Sequence, residues 1–544
     1  MPRINSQWKI FVPCLASLVL WMYSVGTTQV STLSPNGFLG ILFLLPVSFW
    51  LSLGFGLIAA KNACESENPF WFVVVTILLT LILYTTYPII EPAGRHAVSY
   101  EAASGVKEVI QVGGIPQELA TSVLFYPYYV FPGFLTFMAS LTSVSGINLD
   151  TWLRYFPAFL VFSSALTIFL VTRTVARNNS LAMLGALLSL SLNVFHTFFV
   201  PELLGGSMLA IVLYLIMKNT EHRFRGTGLA LFVGMSALTI THPLNSLALL
   251  LFVSAVIIFG VWLNPLRGLV RTAVTYFAIF LGYLIYAAEY LLVGYLPSVV
   301  TAYLNPGTLF SSMNLGSPSV GSTSKLVVSW TSVAFYLFIT IFSAVYLLKF
   351  LTNRQFRQDK LRQLIACYLC ATPFLALTLY GGEIFSRMAA IILLGSIPAV
   401  VSLLANRKVL LLMLCILVAV QPIAFAGSEA YLMVTRSELA GTTFFSDRVA
   451  VAARFFSQGD AALVYYAAPT RLSLERAYTL RFPPIRDFDS TQDFTYLIYS
   501  GRDANGLVYY GRSDLIEPIR SFVMSNNVFY SNGYMEICLR SSSL

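Results

Sequence analysis

Apolar residues along this chain gather in long runs and show no strand-like alternation with polar ones. From residue 10 to residue 425 these runs follow one another, with short polar breaks between them. A run of about 20 mainly apolar residues is what a helix needs to cross a bilayer. The pattern predicts thirteen spans, at 10–26, 38–60, 70–90, 155–172, 181–200, 203–217, 228–241, 244–263, 273–293, 326–346, 364–380, 388–405 and 409–425. Three segments stand outside them: the loop 91–154, a Gly-, Ser- and Pro-rich loop 294–325, and a 119-residue tail, 426–544. The tail changes character. It predicts a helix over Ser446 to Ser457, and strands over Ala461 to Tyr466, Thr495 to Ser500 and Leu507 to Tyr510. It closes with a hairpin from Asn527 to Leu539 that turns at Asn532-Gly533. The expected fold is an all-α polytopic membrane bundle of about 13 transmembrane helices (residues 1–425) followed by a small extracytoplasmic α/β domain (426–544).

Composition agrees with the pattern. Of 544 residues, 57% are hydrophobic and 10% charged, against about 25% charged in a soluble domain, which excludes a soluble globular protein. The net charge of +9 reports topology, because its distribution is one-sided. With the N-terminus in the cytoplasm, the inner loops hold 17 Lys and Arg and the outer loops five, namely Arg95, Lys107, Arg154, Lys325 and Arg387. The tail's eleven Arg face twelve acids, so no nucleic-acid partner is implied. The expected location is the cell membrane, multi-pass, with the N-terminus cytoplasmic and the tail outside. The first run, preceded by Arg3 and Lys9 and lacking an A-x-A cleavage pattern, reads as a retained signal anchor. The six scattered cysteines indicate neither a disulfide framework nor a zinc site.

Familiar catalytic strings are missing. No Walker A, H-E-x-x-H or G-x-S-x-G sequence occurs, and Ser322-x-x-Lys325 lacks its companion motifs. What remains is a set of ionisable residues at the expected outer face, where their cost near lipid makes them informative. Glu91 leaves the third span between Pro88 and Pro92, with Arg95 and His96 just beyond; a solvated loop start is the plain alternative. Glu202 opens the sixth span, six residues after His196, where it also suits a helix N-terminus. His242 precedes Pro243 at a turn, and Glu289 falls near the outer end of the ninth span among tyrosines. Arg387 begins the twelfth span after Glu383, where its donor fork suits a phosphate or a local ion pair.

One stretch has a familiar order. An acid just after a span is followed by an amphipathic segment ending Gly113-Gly114-Ile115-Pro116, then by Tyr126-Pro127-Tyr128-Tyr129-Val130-Phe131-Pro132-Gly133-Phe134 and an apolar run to Ser145-Gly146-Ile147. This resembles the first outer loop of the GT-C superfamily of membrane glycosyltransferases, among archaeal and bacterial relatives of protein mannosyltransferases and oligosaccharyltransferases. Asn527 to Ile537 also looks like the tail of archaeal members. The resemblance covers residues 70–425 as architecture, and two spans precede the one that matches the family's first. It implies that Glu91, where the family usually has Asp, acts as base or metal ligand, that Glu202 is the second acidic site, and that Arg387 contacts lipid phosphate.

On that resemblance the expected activity is inverting sugar transfer from a polyprenyl phosphate donor to a lipid, glycan or protein acceptor at the outer membrane face. Glu91 and Glu202 would be catalytic, with His96, His242, Glu289 and Arg387 binding substrate. A divalent cation (Mg or Mn), if used, would sit on Glu91 and Glu202. The rival readings are a lipid or sugar transporter without covalent chemistry, which should show repeated halves and broken helices, and a non-catalytic GT-C-like membrane scaffold.

Overall fold

The computed structural model describes the chain except residues 1, 29–39, 92, 116–129, 195–196, 222–225, 263–268, 290–292, 294–296, 298–322, 379–383, 428–433, 449–454, 458–460, 468–476, 480–495, 510–512, 533–534 and 540–544. His196, Pro92, Glu383, Ser322, Gly533 and most of the loop 294–325 therefore lie outside the described residues.

Each of the thirteen apolar runs contains helix. Among the described residues, eight helices are long and apolar enough to cross a membrane: Gln7–Thr27, Val47–Ser66, Pro69–Ile90, Leu149–Ala176, Pro201–Glu221, Thr323–Thr352, Arg387–Leu404 and Arg407–Ala426. Asn179–Leu192, Thr227–Thr241, Pro243–Trp262, Val270–Tyr286 and Lys360–Ala371 account for the other runs. The boundaries move for local reasons. The second run divides into a short 3-10 turn, Gly40–Phe43, and the helix Val47–Ser66, with Pro46 as the cap residue. The fifth ends at Leu192 instead of residue 200. Asn side chains start many of the helices: Asn68 accepts from Phe70 N–H ahead of Pro69, Asn178 from Leu181, and Asn406 from Lys408 and Val409. Between these caps the helices bury a continuous apolar core, while Phe11, Val19, Trp330, Leu337, Ile341 and Leu348 are exposed on outer helix faces, as lipid contact requires.

Polar contacts show which helix ends lie together. At one end, Asn62 donates to Lys9 O (2.6 Å), and Arg407 pairs with Glu67 (3.6 Å). At the other, the loop after the third span, the loop before the sixth and the tail meet. In the described part of the loop after the third span are the helices Ala97–Val112 and Gly133–Ser145, whose buried faces join the bundle's core.

The tail forms a five-stranded sheet in the order β2-β1-β3-β5-β4, with β1 Phe455–Ser457, β2 Ala477–Thr479, β3 Tyr496–Ser500, β4 Asn527–Ser531 and β5 Met535–Leu539. β1 runs parallel to both β2 and β3, and β5 runs antiparallel to β3 and β4. Strand alternation makes two layers. Ile498, Met535 and Ile537 continue the bundle's core, whereas Leu497, Tyr499 and Cys538 pack on the helices Gly501–Tyr509 and Ile516–Ser525. Two predicted strands are helices instead: Ala461–Ala467 and Gly501–Tyr509. The predicted helix Ser446 to Ser457 is displaced, since the helix is Arg436–Arg448 and Phe455–Ser457 is β1. Short apolar runs carry no period that separates helix from strand. The overlooked signals were two capping boxes, Thr435-x-x-Glu438 and Ser500-x-x-Asp503, in which hydroxyl and carboxylate satisfy each other's backbone N–H.

Candidate functional site

The third span is distorted before it delivers Glu91. Residues Leu81–Thr85 form a π-helical turn, a feature frequent at functional sites. Thr80 and Thr85 there bond back to carbonyls four residues earlier, both at 2.7 Å. Beyond it, the carbonyl of Pro88 accepts from Arg154 Nε (3.2 Å) and Nη2 (2.7 Å), which ties the span's end to the helix Leu149–Ala176. Glu91 then leaves the helix in an extended conformation and is half-buried. Its Oε1 accepts from the backbone N–H of Arg436 at 3.3 Å, in the first turn of the tail helix Arg436–Arg448. Burial pushes the Glu91 carboxyl above its usual range, and the Arg436 N–H, the Arg436 charge and the Arg154 charge oppose that rise.

Residues 95–96 close the gap to the next outer loop. Arg95 lies over the Phe425 ring (3.6 Å to its centroid), donates to the Phe425 carbonyl, and reaches Thr197 Oγ1 at 3.5 Å. His96 caps the helix Ala97–Val112 by accepting from Val98 N–H at 3.2 Å, and its ring stacks on Phe198 at 4.7 Å. Ser99 accepts from Phe199 N–H (3.2 Å). Residues 197–199 are thereby clamped against the first outer loop, directly before the sixth span.

That span opens with Glu202, whose Oε2 meets Arg387 Nη1 at 3.3 Å; the two side chains are 8% and 21% exposed. Asn245 Nδ2 donates to the Glu202 carbonyl (3.0 Å) and lies 3.3 Å from His242 Nδ1. Gly205 permits this approach, because a Cβ there would stand 2.5 Å from Asn245 Nδ2 and 3.0 Å from His242 Cβ. The structure thus brings buried Glu202 and His242 and half-buried Arg387 into one group and joins His96 to it through the 197–201 segment. Glu91 is at the same end of the bundle, but among the described residues its hydrogen-bond partner is Arg436, not Glu202 or Arg387. Glu289 is apart. The ninth span closes at Tyr286, short of the expected residue 293, and leaves Glu289 exposed beyond it.

Sequence reasoning missed the tail's part in this end of the molecule. Lys107 donates to the Tyr466 carbonyl (3.0 Å) and sits over its ring (3.3 Å), while the Tyr466 hydroxyl bonds Asp150. Burial lowers the Lys107 ammonium and raises the Tyr466 hydroxyl, with Asp150 acting upward on both. Behind them, fully buried Glu438 accepts from Arg502 Nε (2.7 Å), Ser500 Oγ (3.1 Å) and Thr435 N–H (2.7 Å). A buried carboxylate with donors on both oxygens and an arginine partner meets the condition for tolerating charge inside a protein. Among the described residues no three of His, Cys, Asp and Glu converge as a metal site. All six cysteines are free.

No protein-family model matches the chain, and no curated protein matches it in sequence. Among solved structures it is similar to the Archaeoglobus fulgidus oligosaccharyltransferase in complex with Zn and sulfate, at 13% identity and a TM-score of 0.48, over 87% of this chain and 73% of that one. It is also similar to ArnT from Cupriavidus metallidurans bound to undecaprenyl phosphate, at 12% identity and a TM-score of 0.46, over 86% and 97% of the two chains. The apo form of that ArnT matches at 12% identity and a TM-score of 0.45, over 87% and 98%. These are likenesses of chain path.

Proposed function

We propose that the protein is a membrane glycosyltransferase that takes a sugar from a polyprenyl phosphate donor at the outer membrane face and inverts its anomeric configuration. The observation that carries this reading is the Arg387–Glu202 pair at 3.3 Å, in the loop-covered end of the bundle beside His242. A guanidinium held there by a carboxylate is oriented for an anionic group before that group arrives. In the reaction, the acceptor hydroxyl attacks the anomeric carbon and gives its proton to Glu91. The new carbon–oxygen bond forms as the bond to phosphate breaks, and the phosphate oxygen keeps the electron pair. Arg387 stabilises that departing phosphate, and Glu202 positions Arg387. His96 acts through position, holding the first outer loop on residues 197–199, while His242 borders the donor's phosphate.

Purified protein should release polyprenyl phosphate from a sugar-charged polyprenyl phosphate in the presence of acceptor. Arg387→Ala should lower kcat/KM for the donor through both a raised KM and a lowered kcat, because it loses the contact to the bound phosphate and the stabilisation of the departing one. No release from any sugar-charged donor by the wild type, with the protein folded, would leave the scaffold as the better reading. That rival has one observation of its own, since Glu91 is already bound by the tail helix.

The orientation proposed with this function puts the tail and the 91–154 loop outside. A cysteine placed at exposed Ser525 should then be labelled in intact cells by an impermeant reagent, and one at exposed Gln358 should not. The reverse pattern would invert the protein and remove the outer-face assignment.

A further inference from the structure

The hairpin between the helices Thr323–Thr352 and Lys360–Ala371 carries five cations within fourteen residues: Lys349, Arg354, Arg357, Lys360 and Arg362. Elsewhere in the bundle several cations have carboxylate partners, as in Lys61 with Glu65 (4.0 Å), Lys218 with Glu221 (3.3 Å) and Arg407 with Glu67 (3.6 Å). Among the described residues none of the five has a carboxylate within ion-pair distance. The hairpin's single acid, Asp359, is committed as a helix cap that accepts from Leu361 N–H (2.9 Å) and Arg362 N–H (3.2 Å).

Two of the cations are held in place before any ligand binds. Phe356 is buried between the helices, with its ring edge-on to Tyr346 at 5.2 Å. Arg362 lies over that ring at 4.3 Å and Lys349 at 5.0 Å, so one aromatic ring orders a cation from each helix. The Arg362 backbone is fixed by the Tyr346 hydroxyl (3.2 Å), while its Nε is buried with no acceptor in reach among the described residues. Directly beside the cations, Val345, Leu348 and Leu351 are 45%, 61% and 65% exposed on the lipid-facing side of the long helix.

A charge excess with an unused, buried guanidinium donor and an adjoining face for acyl chains has the chemistry of a phospholipid site. We propose that this hairpin binds an anionic phospholipid, with the phosphate held by Arg362 and Lys349 and the chains lying along Val345, Leu348 and Leu351. The apolar strip favours a lipid over a soluble phosphate. Net negative charge is favoured because, among the described residues of the hairpin, the one carboxylate, Asp359, caps a helix and is not set to meet a choline or ethanolamine amine.

The test uses the purified full chain in phosphatidylcholine nanodiscs, with phosphatidylglycerol titrated in and bound lipid counted by native mass spectrometry. Each cation near an anionic surface contributes about fivefold to binding. The Lys349→Gln, Arg362→Gln double variant should therefore bind about thirtyfold more weakly, by the same rule. Lys61→Gln, on a paired cation, should bind as wild type does, and Arg362→Lys should recover most of the loss. If the double variant melts earlier than wild type in phosphatidylcholine alone, Lys349→Gln by itself is read, with about a fivefold loss expected. Equal binding by wild type and variant would reduce the cluster to a topology signal. Displacement of the lipid by inorganic phosphate would make the ligand a soluble anion. Either result overturns the proposal.

Discussion

Glu91→Gln is expected to lower sugar transfer by about 10² to 10⁴, the usual contribution of a positioned base, while donor binding changes little. Gln keeps the shape and can still accept from the Arg436 N–H, so only the proton-accepting capacity is removed. The pH profile supplies the sign. Burial holds the Glu91 carboxyl above the ordinary glutamate range, near 4.3 in peptides. A base must be ionised, so wild-type kcat/KM should fall as pH drops through that raised value, and the acidic limb should be missing in Glu91→Gln. Arg436→Pro sharpens the assignment, because proline is tolerated in the first helical turn yet removes both the donated N–H and the cation. Both had favoured the carboxylate, so the acidic limb should shift to higher pH. Full activity in purified Glu91→Gln would remove Glu91 as the base.

Glu438→Gln is expected to destabilise the tail by about 3–5 kcal/mol, the cost of breaking a buried ion pair by removing one partner. The variant removes the carboxylate charge that faces the Arg502 guanidinium, which is 3% exposed, and weakens the cap at Thr435. Hydrogen exchange measures this directly: amides in 436–448 and 496–509 should lose protection while those in the spans keep theirs. Replacing both partners by leucine should recover much of the loss, since an apolar pair needs no desolvation of charge. Unchanged exchange in Glu438→Gln would mean that the pair is not what fixes the tail helix to the sheet. Because Arg436 in that helix also binds Glu91, the same variant should lower transfer activity through position, with the Glu91 acidic limb still present.

The membrane class and the thirteen runs were legible because burial in lipid imposes a length and a composition on each span, and no alternative partner for the backbone exists there. The 527–539 hairpin was legible from its turn, and β3 from its β-branched and aromatic run. The tail's other elements were not, since 461–467 and 501–509 are too short for a period to form, and the capping boxes that start helices at 436 and 501 are three-residue signals among many Ser, Thr, Asp and Glu. Among candidate residues, the sequence singled out Glu91, Glu202, His96, His242 and Arg387 by their rarity near lipid. It had no means of naming Glu202 as a partner of Arg387, because an ion pair depends on distance in space: 185 positions of chain separate two side chains that end 3.3 Å apart. Nor could it place Glu289 outside its span or Arg436 against Glu91. Composition and periodicity are local sums that each segment carries on its own. A buried pair, a cap supplied by a distant loop and a carboxyl raised by burial exist only once packing has decided which segments exclude water from one another.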